Sequence, residues 1–343
     1  MSNKILEHID QQMQNHLAYW KQQLADAPQI LDLPKDHPRP SIQGYSESRQ
    51  TFILSRQITD ALNTLSLQVN GTLYTTLIAA FQTLLYRYTG QDDFLLGTAT
   101  ANSKNSEAQK FTDNFFNTLV LHADLSDDPT FCELLQRVQK VIMLAHQHND
   151  IPLESIIDAL RPEQHIGYHP LFQVMFSYLS SSQVLPLSWT AAHTDEHRNV
   201  PDLHLEIVDQ AEGLSCDFVY NADVFDASTI SRMHGHWQTL LEGIVADPMQ
   251  HLTELPLLTE EERHLLLVEW NNTARDYPKD QCVHQLFEAQ VELTPDAIAV
   301  NFYDDYLTYN QLNRKANQLA HHLHTLGVGP DVLVGICMER SLE

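Results

Sequence analysis

Positive charge is the first thing this sequence lacks. Across 343 residues, 20 lysines and arginines stand against 45 aspartates and glutamates, a formal net charge of -25. Such an acidic chain does not hold nucleic acid or an anionic membrane through bulk charge, and the plainest effect of the acidity is solubility. Cysteine is sparse too. The four present, Cys132, Cys216, Cys282 and Cys337, lie far apart with no Cys-x-x-Cys pair, which speaks against a zinc site or a disulfide framework and for a reducing compartment. The first ten residues contain no apolar signal core, and no later run reaches the roughly 18 apolar residues of a membrane span. The expected location is cytoplasmic. Eleven glycines form no glycine-rich phosphate loop, and internal repeats and low-complexity tracts are absent.

What is there is a chain long enough for two domains, or for one and parts of others. Residues 5–25 place Ile5, Ile9, Met13, Leu17, Trp20 and Leu24 on one helical stripe, with Pro28 beyond its end. A proline-punctuated, extended passage runs from Pro28 to Tyr45. Residues 48–54 read as a strand and 58–69 as a helix. Thr72 caps a further helix that carries Leu73, Leu77, Phe81, Leu84, Leu85 and Tyr88 before Gly90 ends it. Residues 94–97 read as a buried strand.

The centre of the chain is Phe115-Phe116-Asn117-Thr118-Leu119-Val120-Leu121. Residues 118–122 are too short and too apolar for an amphipathic helix and predict a core strand buried on both faces. A helix follows, with Asp128 as its N-cap, Pro129 at the first helical position, and Phe131, Leu134, Leu135, Val138, Val141, Ile142 and Ala145 on one face. Pro152 then forces Ile151 out of helical geometry and opens a second short helix. Strands are expected at 172–179, 184–189, 203–208 and 214–220, before a helix capped by Asp226 that turns Ile230, Met233, Trp237, Leu240, Leu241 and Ile244 inward. Residues 246–256 read as a short linker, and Thr259-x-x-Glu262 is a capping box that opens a helix to about Trp270.

Three ordered motifs carry a family resemblance: Asn-Phe-Phe-Asn-Thr-Leu-Val-Leu at 114–121, His-Asn-Asp-Ile-Pro-Leu-Glu at 148–154 and His-Pro-Leu-Phe-Gln-Val-Met-Phe at 169–176. Their order and spacing resemble condensation domains of nonribosomal peptide synthetases, and the 18–40 passage resembles the crossover in the middle of such a domain. The resemblance implies an α/β, chloramphenicol-acetyltransferase-like sandwich (the fold of CoA-dependent acyltransferases), of which residues 1–250 would be the C-terminal lobe. It also implies that Asn117, Thr118, Asp150, Pro152, Glu154, Pro170 and Phe172 shape that lobe, a region some family members use to line the channel between lobes. Two positions depart from the family pattern: His122 stands where arginine is usual, and Asp113-Asn114 replaces the commoner Ile/Val-Gly-Phe lead-in.

The family's catalytic motif, His-His-x-x-x-Asp-Gly, belongs to the other lobe and does not occur here. The one His-His pair, His321-His322, lacks the aspartate and reads as a polar helix face. His193-Thr-Asp-Glu-His197 reads as a solvated loop rather than a metal site, and His234 and His236 flank Gly235 on a helix without making a site. No metal ligand and no catalytic residue is therefore expected.

A second unit begins after a linker at 251–275. A helix near 283–292, a strand at 298–302, a turn at Asp304-Asp305, a capping box Thr308-x-x-Gln311 with a helix to Leu326, and a strand from Asp331 to Met338 are expected. The run around Leu307, Thr308, Tyr309 and Leu312 resembles the opening of an amino-acid adenylation domain, so residues 276–343 would be its first part. The resemblance implies peptidyl and aminoacyl carrier domains, a condensation N-lobe and the remainder of an adenylation domain as partners. It places 4'-phosphopantetheine on the carriers, and ATP and Mg in a complete adenylation domain. The alternatives kept open are a noncatalytic docking lobe, a gene fragment, and a stand-alone acyltransferase, which the missing motif disfavours.

Overall fold

A computed structural model describes residues 2–39, 45–101, 116–162, 168–179, 200–277, 279–338 and 341–342. The chain divides into two compact units, Met1–Glu269 and Trp270–Glu343. In the first unit α1 (Ser2–Leu24) leads to β1 (Glu47–Ser55), α2 (Arg56–Gln68), α3 (Leu73–Thr89), β2 (Asp93–Ala101) and β3 (Phe116–Asp124). There follow α4 (Phe131–Gln147), α5 (Leu153–Leu160), β4 (Val174–Leu179), β5 (Leu203–Gln210), β6 (Gly213–Asn221), α6 (Ala227–Ala246) and α7 (Glu260–His264), whose last turn passes into a π-helical turn at Leu265–Glu269. The expected strand at 184–189 and the His193–His197 loop lie outside the described residues.

One mixed six-stranded sheet, in the order β1-β6-β5-β4-β2-β3, organises this unit. β4 runs parallel to both β5 and β2, and the remaining pairs are antiparallel. Phe81 of α3 packs against Phe176 of β4 and edge-on to Trp237 of α6, so Val174, Phe176 and Tyr178 face the helices together with their register partners Leu203, Leu205 and Ile207. The core is built on that face by Leu77, Phe81, Leu84, Trp237, Leu240 and Leu241, all fully buried. α3 ends at Gly90, whose φ of 70° is cheap only for glycine.

Two expectations are corrected here. The strand at 118–122 is buried, with Leu119, Val120 and Leu121 each 1% exposed, yet it lies at the sheet edge and pairs only with β2. α4 and α5 both pack against it, so apolar content reports covering, not centrality. The cap of α4 is Thr130, in a reciprocal box with Glu133, and not Asp128. Asp127 and Asp128 adopt φ of 67° and 45°, a left-handed turn that carries Asp128 away from the helix and toward Thr253. The carboxylate of Asp128 accepts from Thr253 N at 3.1 Å and from its hydroxyl at 2.6 Å. Asp226 does occupy the N-cap position of α6, but its side chain makes no cap bond. Asp36 anchors this helix start from the crossover, accepting from Asp226 N at 2.8 Å and from the Thr229 hydroxyl at 2.9 Å.

The stretch after α6, expected to be a linker, packs onto the unit. Leu252 and Leu255 are buried, and Arg87 donates to both of their carbonyls. The carbonyls of Pro248 and Gln250 accept from Cys132 N and Phe131 N, filling orphan donors in the first turn of α4. Thr259 and Glu262 form the expected capping box, and Glu262 also accepts from His236 Nε2 at 3.0 Å, while Tyr88 donates to His236 Nδ1 at 2.6 Å.

The second unit holds α8 (Val283–Leu293), a hairpin of β7 (Ile298–Phe302) and β8 (Asp305–Thr308), and α9 (Tyr309–Thr325). No described residue from Trp270 onward is buried. The strand expected at 331–338 does not form: its described residues are irregular, and Leu333 is 99% exposed. Parallel or central strands need a neighbour to take their hydrogen bonds, and β7 and β8 pair only with each other.

Candidate functional site

The motif residues fall into three places. His169, Pro170, Phe172 and Gln173 form a buried loop ahead of β4. The ring of Phe172 stacks on that of His169 at 4.0 Å and lies against Gly97 of β2 so closely that a Cβ there would sit 2.4 Å from it. Nδ1 of His169 accepts from Leu171 N and Phe172 N, which fixes its lone pair inward, and burial pushes its pKa down to about 3. Gln173 ties the crossover to this loop: its Oε1 accepts from Leu31 N at 2.7 Å, and its Nε2 donates to Gln29 O and His169 O. Pro170 is half-buried beside it.

Asp150, Pro152 and Glu154 lie at the junction of α4 and α5. Pro152 stands at the N-cap of α5, and its carbonyl accepts from Ser155 N and Ile156 N. Glu154 is exposed in the first turn, where a carboxylate suits the helix dipole. Asp150 lies 4.0 Å from His16 of α1, and His16 faces His148 Nδ1 to Nδ1 at 2.8 Å, so one ring donates and the other accepts. Tyr19 stacks on His148 at 4.0 Å and Trp20 donates to its carbonyl. Burial, then the neighbouring His16, lowers the pKa of His148.

Asn117 and Thr118 occupy a third place, the start of β3 opposite Thr100 and Ala99, with Thr118 buried. His122, at the far end of this strand, pairs with Asp93 at 2.5 Å, so the position usually held by arginine keeps an acidic partner.

A further polar row was not read from the sequence. On the sheet face turned away from α3 and α6, Ser177, His204, Glu206, Asp217 and Arg49 come from four neighbouring strands. The Ser177 hydroxyl lies 2.8 Å from His204 Nε2, His204 Nδ1 lies 3.4 Å from Glu206, and Arg49 bridges Glu206 and Asp217 at 2.8 Å each. Burial drives the His204 pKa down to about 3, so the ring is neutral. Nε2 is then free to accept from the Ser177 hydroxyl, while Nδ1 faces Glu206 without a hydrogen bond. The order matches a serine–histidine–acid relay, but Ser177 is only 2% exposed, and what the row does in this chain is tie four strands in register, with one oxygen of Asp217 buried and unpartnered among the described residues. The alternation Leu203-His204-Leu205-Glu206-Ile207 was its signal. Beside it, Arg39 makes a two-pronged ion pair with Asp202 and lies over the Tyr168 ring at 3.8 Å, pinning the crossover a second time.

Other histidines lie outside this row. His321 and His322 are exposed on α9, His234 stacks on Phe52 at 3.7 Å, and no metal-holding cluster occurs among the described residues. In the second unit Thr308 caps α9 in a box with Gln311, Leu307 pairs with Val300, and the Tyr309 ring packs near Phe287 at 6.0 Å while its backbone N–H donates to Ala297 O. Leu312 is half-buried on the same helix. Gly327, Gly329 and Gly335 have open space where a Cβ would go.

Comparison with known proteins agrees with this geometry. Residues 5–267 match the condensation domain model, and 287–343 match the AMP-binding enzyme model. The chain is 43% identical over 334 residues to one of the linear gramicidin synthase proteins of Brevibacillus parabrevis, covering 95% of this chain and 6% of that protein. It is 42% identical to chondramide synthase cmdD of Chondromyces crocatus, covering 96% and 9%. The chain thus spans less than a tenth of the curated relatives it matches. Among solved structures, holo-AB3403, a four-domain nonribosomal peptide synthetase bound to AMP and glycine, superposes with a TM-score of 0.76 at 22% identity, over 91% of this chain and 25% of that one. The X-domain from teicoplanin biosynthesis gives 0.66 at 24%, over 75% and 60%. With its family match running from residue 5 to 267, the chain belongs to the condensation-domain family of nonribosomal peptide synthetases and continues into the start of an AMP-binding domain.

Proposed function

We propose that this chain supplies the C-terminal lobe of a condensation domain, and the first part of the adenylation domain behind it, to a synthetase that joins carrier-bound aminoacyl or peptidyl thioesters through amide bonds. Its contribution is scaffolding and shaping, with no acid, base or nucleophile of its own. The observation that carries this reading is the His169–Gln173 hub, where motif residues are spent on Gly97, on the crossover and on the backbone that enters β5. Asn117, Thr118, Asp150, Pro152, Glu154, Pro170 and Phe172 act by holding β3, α5 and β4 in place beside the channel. Residues 1–250, 251–275 and 276–343 are assigned as lobe, connecting segment and adenylation start. Carrier domains bearing 4'-phosphopantetheine, a condensation N-lobe and the rest of the adenylation domain are the partners, and ATP with Mg would be bound by the completed adenylation domain.

The test supplies two carrier-bound thioesters to this chain alone, to an N-lobe carrying His-His-x-x-x-Asp-Gly alone, and to the mixture. Peptide bond formation is expected only where the N-lobe is present, and amino-acid-dependent pyrophosphate exchange by the chain alone should stay at background. Exchange above background would overturn the reading, because nucleotide-binding groups would then have to lie within these residues.

A further inference from the structure

α1 meets the α4–α5 junction through a contact between two groups of the same kind. Nδ1 of His16 and Nδ1 of His148 lie 2.8 Å apart, with the ring centroids at 4.9 Å and the planes at 75°. A nitrogen–nitrogen contact that short needs a hydrogen on one of the two atoms and a lone pair on the other. The packing around it is close. Tyr19 stacks on His148 at 4.0 Å, and Trp20, 1% exposed, donates to the His148 carbonyl at 3.0 Å.

Counting protons on the pair shows what the contact tolerates. With both rings neutral, one donates through Nδ1–H and the other, whose hydrogen sits on Nε2, accepts. One added proton keeps the same contact and makes it charge-assisted; on His16 it also sets an Nε2–H toward Asp150, 4.0 Å away. A second added proton puts a hydrogen on both Nδ1 atoms. The contact is then lost, and two positive charges oppose each other in half-buried surroundings. Asp150 is the carboxylate that faces the pair, whereas Glu154 and Asp158 of α5, His146 at the end of α4 and Lys21 of α1 are exposed. Burial raises the pKa of Tyr19, so its phenol stays neutral against the His148 ring.

We propose that the His16–His148 pair is a proton-operated clasp on α1, which holds while the pair carries at most one added proton and opens when both rings are charged. Opening frees the middle of α1 from α5, whose Leu153 and Ile157 are half-buried, while Trp20 and Leu24 keep the end of the helix in the core. The pKa of His148 is lowered, by burial first and by His16 second. The docked pair therefore binds fewer protons than the open one, so the clasp is complete above the ordinary histidine value of about 6.5 and is lost as pH falls below it. It does not depend on the chain's part in a synthetase.

The experiment follows amide hydrogen exchange of the full chain from about pH 7.5 to about pH 5, corrected for the intrinsic pH dependence of exchange. Uptake of one proton on opening should lower the protection of α1 amides at 13–18 by about tenfold per pH unit below about pH 6.5, while the amides of α6 keep theirs. His16→Gln retains a donor and an acceptor but cannot become charged, and should hold that fall to less than about twofold per unit. Protection of α6 also reports whether the variant is folded. Ring NMR of the two histidines in the unmodified chain is the second measurement, and each ring should show two inflections because the pair titrates together. Protection in α1 that stays flat with pH, an equal fall in α6 or in His16→Gln, or rings that each titrate once at about 6.5 would overturn the proposal.

Discussion

At the scale of single residues, the motif loop explains why a glycine stands in the middle of β2. Gly97→Ala would drive a methyl into the Phe172 ring, and overpacking of a filled core costs about 1–3 kcal/mol. Urea denaturation should show that loss, and Phe172→Leu in the same chain should return part of it, because the two sites share one contact. The histidines give a second expectation. His169 and His204 have folded pKa values of about 3, below the ordinary 6.5. The unfolded chain therefore binds more protons in that window. Stability is complete above the unfolded value and is lost as pH falls through it toward 3, by about 1.4 kcal/mol per pH unit for each histidine. Urea midpoints between about pH 7 and about pH 5 should fall accordingly, and His204→Gln should flatten the slope. Phe172 and Pro170 were legible in the sequence because they sit in a motif. The partners of His204 were not, because Ser177, Glu206 and Arg49 meet only through strand register, which no local pattern announces.

At the scale of elements, periodicity located most helices and strands to within a few residues, and Thr72, Gly90, Thr259 and Thr308 end or begin them as read. The failures share one cause, which is that a partner distant in sequence decides the role of a local signal. Asp128-Pro129 has the composition of a helix start, but Thr253 takes the aspartate, and the helix begins at a threonine two residues later. Thr130→Ala should thus cost about 1 kcal/mol of stability. Asp128→Ala should leave the helix intact and instead speed amide exchange at Thr253. Equal loss of α4 protection in both variants would restore the aspartate as cap. β3 misleads in a related way, since its apolar residues record what covers it and say nothing of where it sits in the sheet.

At the scale of the whole molecule, the two units differ in kind. The first has a continuous core of buried side chains, and the second has none among its described residues. Val332, Leu333, Val334, Ile336 and Met338 expose between 49% and 99% of their surface within seven residues, and a contiguous apolar stretch of that kind draws partners. Sedimentation is expected to show concentration-dependent association despite the net charge of -25, and Val334→Lys with Ile336→Lys should abolish it. A monomer at all concentrations would count against that expectation.

The stapling of residues 246–262 bears on protein engineering. Anyone grafting a foreign activation module onto this lobe would be tempted to splice just after α6, where turn residues gather. That incision would discard the carbonyls of Pro248 and Gln250 that finish α4, the acceptors that hold Arg87, and the glutamate that meets His236. The acceptor half of a chimera would then carry the damage even though every motif survived. A seam beyond Glu269 keeps those fastenings, which makes the site of the cut, more than the identity of the graft, the variable to control.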